Sequence, residues 1–365
     1  MTKIKEVVRY LESIAPTPFQ ESYDNSGLIV GNANAEVSGI LITLDSTEAV
    51  VEEAMEKGCN LIIAHHPIVF RGLKKITGRH YVERVIIKAI KHDVAIYAIH
   101  TNLDNVAQGV NKMICEKIGL QNLRILAPKN DTLSKLVTFV PEGSLDKVMD
   151  ALNEAGAGAI GNYEKCSFRV SGTGTFQPND EANPHIGERN QFEEVKEDRL
   201  EVMFPSHLEG AVLNALKSAH PYEEVAYYFT KLTNQNQEVG SGMIGELPAP
   251  MEPHDFLLCL KDNMQLKCIR HTELLDRTVK RVAVCGGAGS FLLPKAISKK
   301  ADVFVTADFK YHEFFDADQQ IVIADIGHYE SEVFTKDLLH ALLTKKFTNF
   351  ALNLSGIVTN PISYI

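Results

Sequence analysis

Adjacent histidines close a short apolar run in Asn60-Leu-Ile-Ile-Ala-His-His-Pro67. Histidines and carboxylates gather at three further places: His100-Thr-Asn-Leu-Asp104, Asp308, and Gly327-His-Tyr-Glu-Ser-Glu332. Neutral imidazole with carboxylate is the donor set of zinc, iron and manganese centres. On an extended chain, successive side chains alternate, so the rings of His65 and His66 are expected on opposite sides of their strand. Placed that way they do not serve one ion from one direction, but each can serve one of two neighbouring ions. His328 and Glu332 are four apart at the start of an expected helix, which puts both on one face. There they converge on one centre, and a carboxylate can bridge two ions. The chemistry implied is that of a metal site, in its sharpest form a dinuclear one.

Such residues need elements to hold them. Leu61-Ala64 is continuously apolar, as in a parallel strand covered on both faces, and open parallel sheets build their sites at the carboxyl ends of strands. A helix is expected over residues 3–14, with Ile4, Val7, Val8, Leu11 and Ile14 at helical spacing. A strand–helix alternation follows: strand 39–45, helix 46–57, strand 60–64, helix 80–92, strand 94–99 and a helix from about residue 105. The far end repeats it, with strands at 279–284, 301–306 and 320–325, a helix over 329–344 and a last strand at 349–354. The expected fold class is α/β, with mostly parallel sheets and flanking helices formed by both chain ends. Each cluster alone is compatible with a hydrogen-bonded structural histidine, and His80, His92 and His340 read as surface or helix residues. Three clusters at the same edge of one expected sheet point to a site.

The middle of the chain has a different pattern. Leu136–Leu152 and Leu200–Leu216 each read as strand, proline turn and helix, and each is followed by another strand. Two β-α-β units make a ferredoxin-like α+β domain. The expected division is residues 1–130 and 239–365 as a discontinuous outer domain, with 131–238 inserted. Residues 177–197 read as a solvent loop. His220-Pro-Tyr-Glu-Glu224 reads equally as a ligand-contacting segment or a helix-to-strand turn.

Composition removes several classes. The 365 residues carry a net charge of -10, so no global electrostatic footprint for nucleic acid is present, leaving only a local basic patch as a route to one. No apolar run is long enough for a membrane span. Six cysteines contain no Cys-x-x-Cys pair, and the start of the chain reads as an amphipathic helix rather than a signal peptide. The expected location is the cytoplasm. Gly286-Gly-Ala-Gly-Ser290 reads either as a tight turn or as backbone N–H groups offered to a phosphate.

Taken together, Tyr23-Asp-Asn-Ser-Gly-Leu, Ala64-His-His-Pro, His100-Thr-Asn-Leu-Asp, Cys285-Gly-Gly-Ala-Gly-Ser and Gly327-His-Tyr-Glu-Ser-Glu resemble the NIF-three-like family, the GTP cyclohydrolase I type 2 homologs. The middle, with His220-Pro-Tyr-Glu-Glu-Val, is similar to the insert of the longer bacterial members, itself like PII-like signalling and copper-tolerance proteins. The resemblance implies two divalent ions per chain (zinc, iron or manganese) held by His65, His66, Asp104, His328 and Glu332, with Glu332 as bridge. It also implies a toroidal homohexamer whose inserted domains cap the cavity. The expected activity is metal-dependent hydrolysis of a small-molecule nucleotide or phosphoester, or opening of the purine ring of GTP. In that expectation His100 is a ligand, a neighbour of the ligands or a proton shuttle, and Gly286, Gly287, Gly289 and Ser290 meet phosphates. The alternative is a non-catalytic metal-binding regulator or scaffold whose inserted domain senses a ligand.

Overall fold

The computed structural model describes all 365 residues. The chain divides into two compact units, Met1–Pro128 with Gln237–Ile365, and Lys129–Asn236. No helix is long and apolar enough to cross a membrane.

The first unit is a mixed α/β structure built on two sheets. One orders its strands Gly27–Val30, Ala95–Ala98, Leu61–Ala64, Gly39–Thr43 and Ala351–Leu354, all neighbours parallel except the first pair. Its central strands are buried at every position because both faces are covered. Ile40, Ile42, Leu61 and Ile63 enter one core, while Leu41, Ile62 and Ala64 enter another. The second sheet orders Arg270–His271, Val322–Asp325, Val303–Ala307, Val279–Ala288, Gly240–Met251 and Gln121–Pro128. Its three apolar central strands, Val279–Ala288, Val303–Ala307 and Val322–Asp325, run parallel. The larger core joins both sheets through the helices Ile4–Ile14, Val110–Ile118, Pro253–Asn263 and Thr335–Lys346, whose buried residues include Leu11, Ile114, Phe256 and Leu339.

The chemistry-bearing clusters were expected at one edge of a single sheet. They follow strands of two sheets: His65, His66, His100 and Asp104 come from the first, and Asp308, His328 and Glu332 from the second. The two halves share strands. The last strand of the chain pairs with Gly39–Thr43, and Gln121–Pro128 pairs with Gly240–Met251. The expected helix over 329–344 is broken into His328–Glu332 and Thr335–Lys346. The glycine-rich segment continues the strand Val279–Ala288 before a 3-10 turn at Ser290–Leu292.

The second unit follows the order β-α-β-β-α-β. Its sheet is antiparallel throughout, ordered Phe168–Phe176, Glu193–Pro205, Leu133–Pro141 and Tyr227–Leu232. The helices Leu145–Glu154 and Glu209–Ala219 cover one face, packing Val148, Leu152, Val212 and Leu216 on Leu136, Val140, Leu200 and Phe204. Residues 193–197 belong to a strand and not to the expected loop, because Glu193 through Glu197 pair with Phe176 through Gly172. Their charges hid the strand from a reading based on apolar alternation.

Tyr97 is fully buried in the first unit and its hydroxyl has no hydrogen-bond partner. A buried unsatisfied hydroxyl costs about 1–3 kcal/mol. Tyr97→Phe is therefore expected to leave stability unchanged or raise it by about 1 kcal/mol in urea unfolding. A clear loss would show that the hydroxyl is satisfied in solution.

Candidate metal centre

His65 and His66 lie just beyond the last residue of their strand, where the chain bends. The pleat no longer alternates there, so the expected divergence of the two rings does not occur. Their centroids are 5.0 Å apart, and both Nε2 atoms face Glu332. Each ring is aimed by a partner on Nδ1. That of His65 donates to the Ile99 carbonyl at 2.8 Å, and that of His66 meets Asp45 Oδ1 at 2.7 Å. His328 Nδ1 meets Asp308 Oδ2 at 2.7 Å. An imidazole with its proton fixed on Nδ1 presents the Nε2 lone pair, the form that binds a metal.

Those Nε2 atoms converge on Glu332 from two sides. His66 Nε2 and His328 Nε2 lie 2.9 and 3.1 Å from Glu332 Oε2, and 3.4 Å from each other. On the other oxygen, His65 Nε2 lies 3.9 Å from Oε1 and 3.6 Å from Asp104 Oδ1. Three groups of donors are close enough to hold a metal ion: His65 with Asp104 and Glu332, His66 with His328 and Glu332, and His65 with His66 and His100. His65 Nε2 and Asp104 Oδ1 are both buried without a hydrogen-bond partner. Leaving two such atoms orphaned beside a buried carboxylate is costly, and a cation between them satisfies all three. The donor set fits a metal.

The backbone around the site is specialised. Asp308, whose carboxylate orients His328, has φ 60°, a left-handed conformation that aspartate tolerates better than most residues. Gly287 has φ +62°, and a Cβ there would lie 2.4 Å from Glu332 Oε1. The Gly286 amide donates to Asn111 Oδ1 and the Gly287 amide to Ser331 Oγ. Phosphate contact at Gly286, Gly287, Gly289 and Ser290 requires free amides, and two of the four are occupied. What Gly287 provides is room for the Glu332 carboxylate.

His100 meets Asp24 Oδ1 at 2.7 Å through Nδ1, and its ring lies 5.3 Å from His65 and 5.2 Å from His66. Burial opposes ionisation of Asp24, but hydrogen bonds from His100 and Thr101 hold its carboxyl well below the usual range. The orienting roles of Asp45 and Asp24 were not read from the sequence. Asp45 carries a signal, since it follows a strand neighbouring that of the histidine pair. Asp24 lies in the Tyr23-Asp-Asn-Ser-Gly-Leu motif, which marked the segment but not its partner His100. His66, His100, Asp104, His328 and Glu332 line a cavity of about 780 Å³, whose walls include Tyr23, Phe70, Phe291 and Tyr329.

Without a cation, protons take its place. Burial, and then the charge of Glu332, push the Asp104 carboxyl up to about 7. Burial opposes a charged His66, yet hydrogen bonds to Asp45 and Glu332 raise it to about 9; Asp308 and Glu332 likewise raise His328 to about 11. Burial opposes the charge of Glu332, but hydrogen bonds from His328 and His66 hold its carboxyl well below its ordinary value.

Two predictions follow from this arrangement. The stability that protonated His66 lends is complete below about pH 6.5 and lost as pH rises through about 9, while the penalty on ionised Asp104 grows up to about 7. Chelator-treated protein should therefore lose thermal stability between about pH 6 and pH 9, and the gap to zinc-loaded protein should widen. A constant gap would show that protons do not occupy the site. Gly287→Ala should strain the chain by about 1–3 kcal/mol and displace Glu332, weakening metal binding at least about 10-fold by calorimetry while the protein still folds.

Comparison with known proteins agrees with the fold. The family model Duf34/NIF3 (NGG1p interacting factor 3) matches residues 2–361. A Bacillus subtilis relative named GTP cyclohydrolase 1 type 2 homolog is 39% identical over 367 residues, covering 99% of this chain and 98% of its own. The crystal structure of a Bacillus cereus protein related to NIF3 superposes with a TM-score of 0.87 at 39% identity, covering 100% of this chain and 99% of that one. Staphylococcus aureus protein SA1388 superposes with a TM-score of 0.78 at 31% identity, over 100% and 99% of the two chains. This chain belongs to the Duf34/NIF3 family.

Proposed function

We propose that this chain binds two divalent ions and is a metal-dependent hydrolase acting on a nucleotide or phosphoester. One ion is held by His65, Asp104 and Glu332, the other by His66, His328 and Glu332. The observation that carries this is the pair of donor groups sharing the two oxygens of Glu332 at the wall of an open cavity. Such a pair of ions supplies an acidified water and an electrostatic clamp on an anionic substrate. The donors are nitrogen and oxygen only, which suits zinc, iron or manganese.

The remaining work falls to the chain. Asp24 fixes the Nδ1 proton of His100, which leaves His100 Nε2 to accept a proton at the cavity wall. Tyr23, Phe70 and Phe291 offer flat apolar surface to a base or another planar group. The name of the Bacillus subtilis relative makes purine-ring opening of GTP one reaction within this class. The strand order of residues 129–236 supports reading them as a ferredoxin-like insert. Exposed Phe291, Tyr311 and Phe315 support a homo-oligomer, with the toroidal hexamer as the proposed form.

The test is metal content by mass spectrometry of anaerobically purified protein beside Glu332→Gln, followed by turnover of GTP and of p-nitrophenyl phosphate. About two ions per chain are expected in the wild type and clearly fewer in the variant, with kcat/KM reduced at least about 100-fold. Protein that stays empty after incubation with zinc, iron and manganese would overturn the metal assignment. Full metal without turnover of either compound would favour the regulatory alternative.

A further inference from the structure

The second unit contains its own cavity, of about 610 Å³, built entirely from its own residues. It does not depend on the metal centre. Phe139, Glu197 and Arg199 contribute from the sheet face opposite the helices, because their neighbours Val140 and Leu200 point into the core. The loop after Phe168–Phe176 forms another wall. The Asn183 amide donates to Glu223 Oε1 at 2.7 Å, which ties the loop to the segment after the second helix, and Arg189 Nε donates to the Ala182 carbonyl within the loop at 2.7 Å. The segment His220-Pro-Tyr-Glu-Glu224 completes it. His220 uses both ring nitrogens, Nε2 on the Phe139 carbonyl and Nδ1 accepting from the Tyr222 amide, and this places the Tyr222 ring in the wall.

Two polar groups in this cavity lack what they need. Glu197 is only 8% exposed and pairs with no lysine or arginine; Arg199 beside it bonds Glu201 instead, at 2.8 Å. Gly174 leaves the Glu197 carboxylate its space, since a Cβ there would lie 2.1 Å from Oε2. The Tyr222 hydroxyl is buried without a well-formed hydrogen bond, and burial first, then its contact with the Glu197 carboxylate, raise its pKa. Around them the walls are aromatic, with Phe176 at 6.0 Å and His185 at 6.3 Å from the Tyr222 ring. A buried, uncompensated carboxylate among aromatic faces calls for a cation on an apolar body.

We infer that this cavity is a binding site for a small organic cation, whose ammonium or amidinium group donates to Glu197 and whose apolar body lies among Phe139, Phe176 and Tyr222. The site belongs to the inserted unit, so it gives that unit a ligand class distinct from the anionic substrates suited to the metal centre.

The experiment is calorimetric and ligand-observed NMR titration of the full-length protein with three isosteric probes: phenethylamine, 2-phenylethanol and 3-phenylpropionate. Phenethylamine, protonated at neutral pH, is expected to bind saturably in the millimolar range usual for compounds of its size. The alcohol should bind at least about 10-fold more weakly and the carboxylate not at all. Glu197→Gln should abolish the preference for the cation, and Tyr222→Phe should weaken it while leaving the packing intact. Equal binding of cation and carboxylate, or no saturable binding of the cation, overturns the assignment on the wild-type protein alone. A cation preference that survives in folded Glu197→Gln overturns it as well.

Discussion

One carboxylate, that of Glu332, is buried where the carboxyl ends of strands from two sheets meet, and three imidazoles are directed at it. A charge in that position is tolerable only when it is compensated from every side. Much of the surrounding structure can be traced to this requirement. Gly287 leaves it room, and the Ile99 carbonyl, Asp45 and Asp308 hold the imidazoles in the tautomer that faces it. The Asp308 that holds His328 does so from a left-handed backbone.

Much of this was legible in the sequence. The histidine pair, the His–x–x–x–Glu spacing and the apolar strands before them mark both the clustered side chains and the strand ends they stand on. What could not be read was that these residues follow strands of two different sheets. The period of a strand reports which faces are buried, not which sheet it joins, and the pairings of Ala351–Leu354 and Gln121–Pro128 are long-range. Local pattern likewise placed the rings of His65 and His66 apart, because it assumes an ideal pleat through the last residue of the strand. Their orientation is decided by the groups at Ile99 and Asp45, which are distant in sequence. Asp24 shows the same limit: a single aspartate in a turn says nothing of a histidine at position 100.

The second unit shows how charge can mask a strand. Glu193-Glu-Val-Lys-Glu-Asp198 has the composition of a solvated loop, yet it pairs through its whole length with Phe168–Phe176. Its one deeply buried charge, Glu197, faces a cavity and not water. The composition that obscured the strand is therefore tied to the feature that distinguishes this unit chemically, a carboxylate enclosed by aromatic rings.

The sharing of strands between chain ends also sets an order of assembly. The sheet that carries His65 and His66 is completed by Ala351–Leu354, and Glu332 itself lies beyond the whole second unit in the chain. During synthesis, the first histidines emerge long before the carboxylate that must join them, and closing so long a loop has an entropic cost that only the finished sheets offset. A nascent or truncated chain therefore displays paired histidines without the carboxylate they face in the folded chain. The inserted unit, whose strands are contiguous in sequence, can complete its own sheet during that interval.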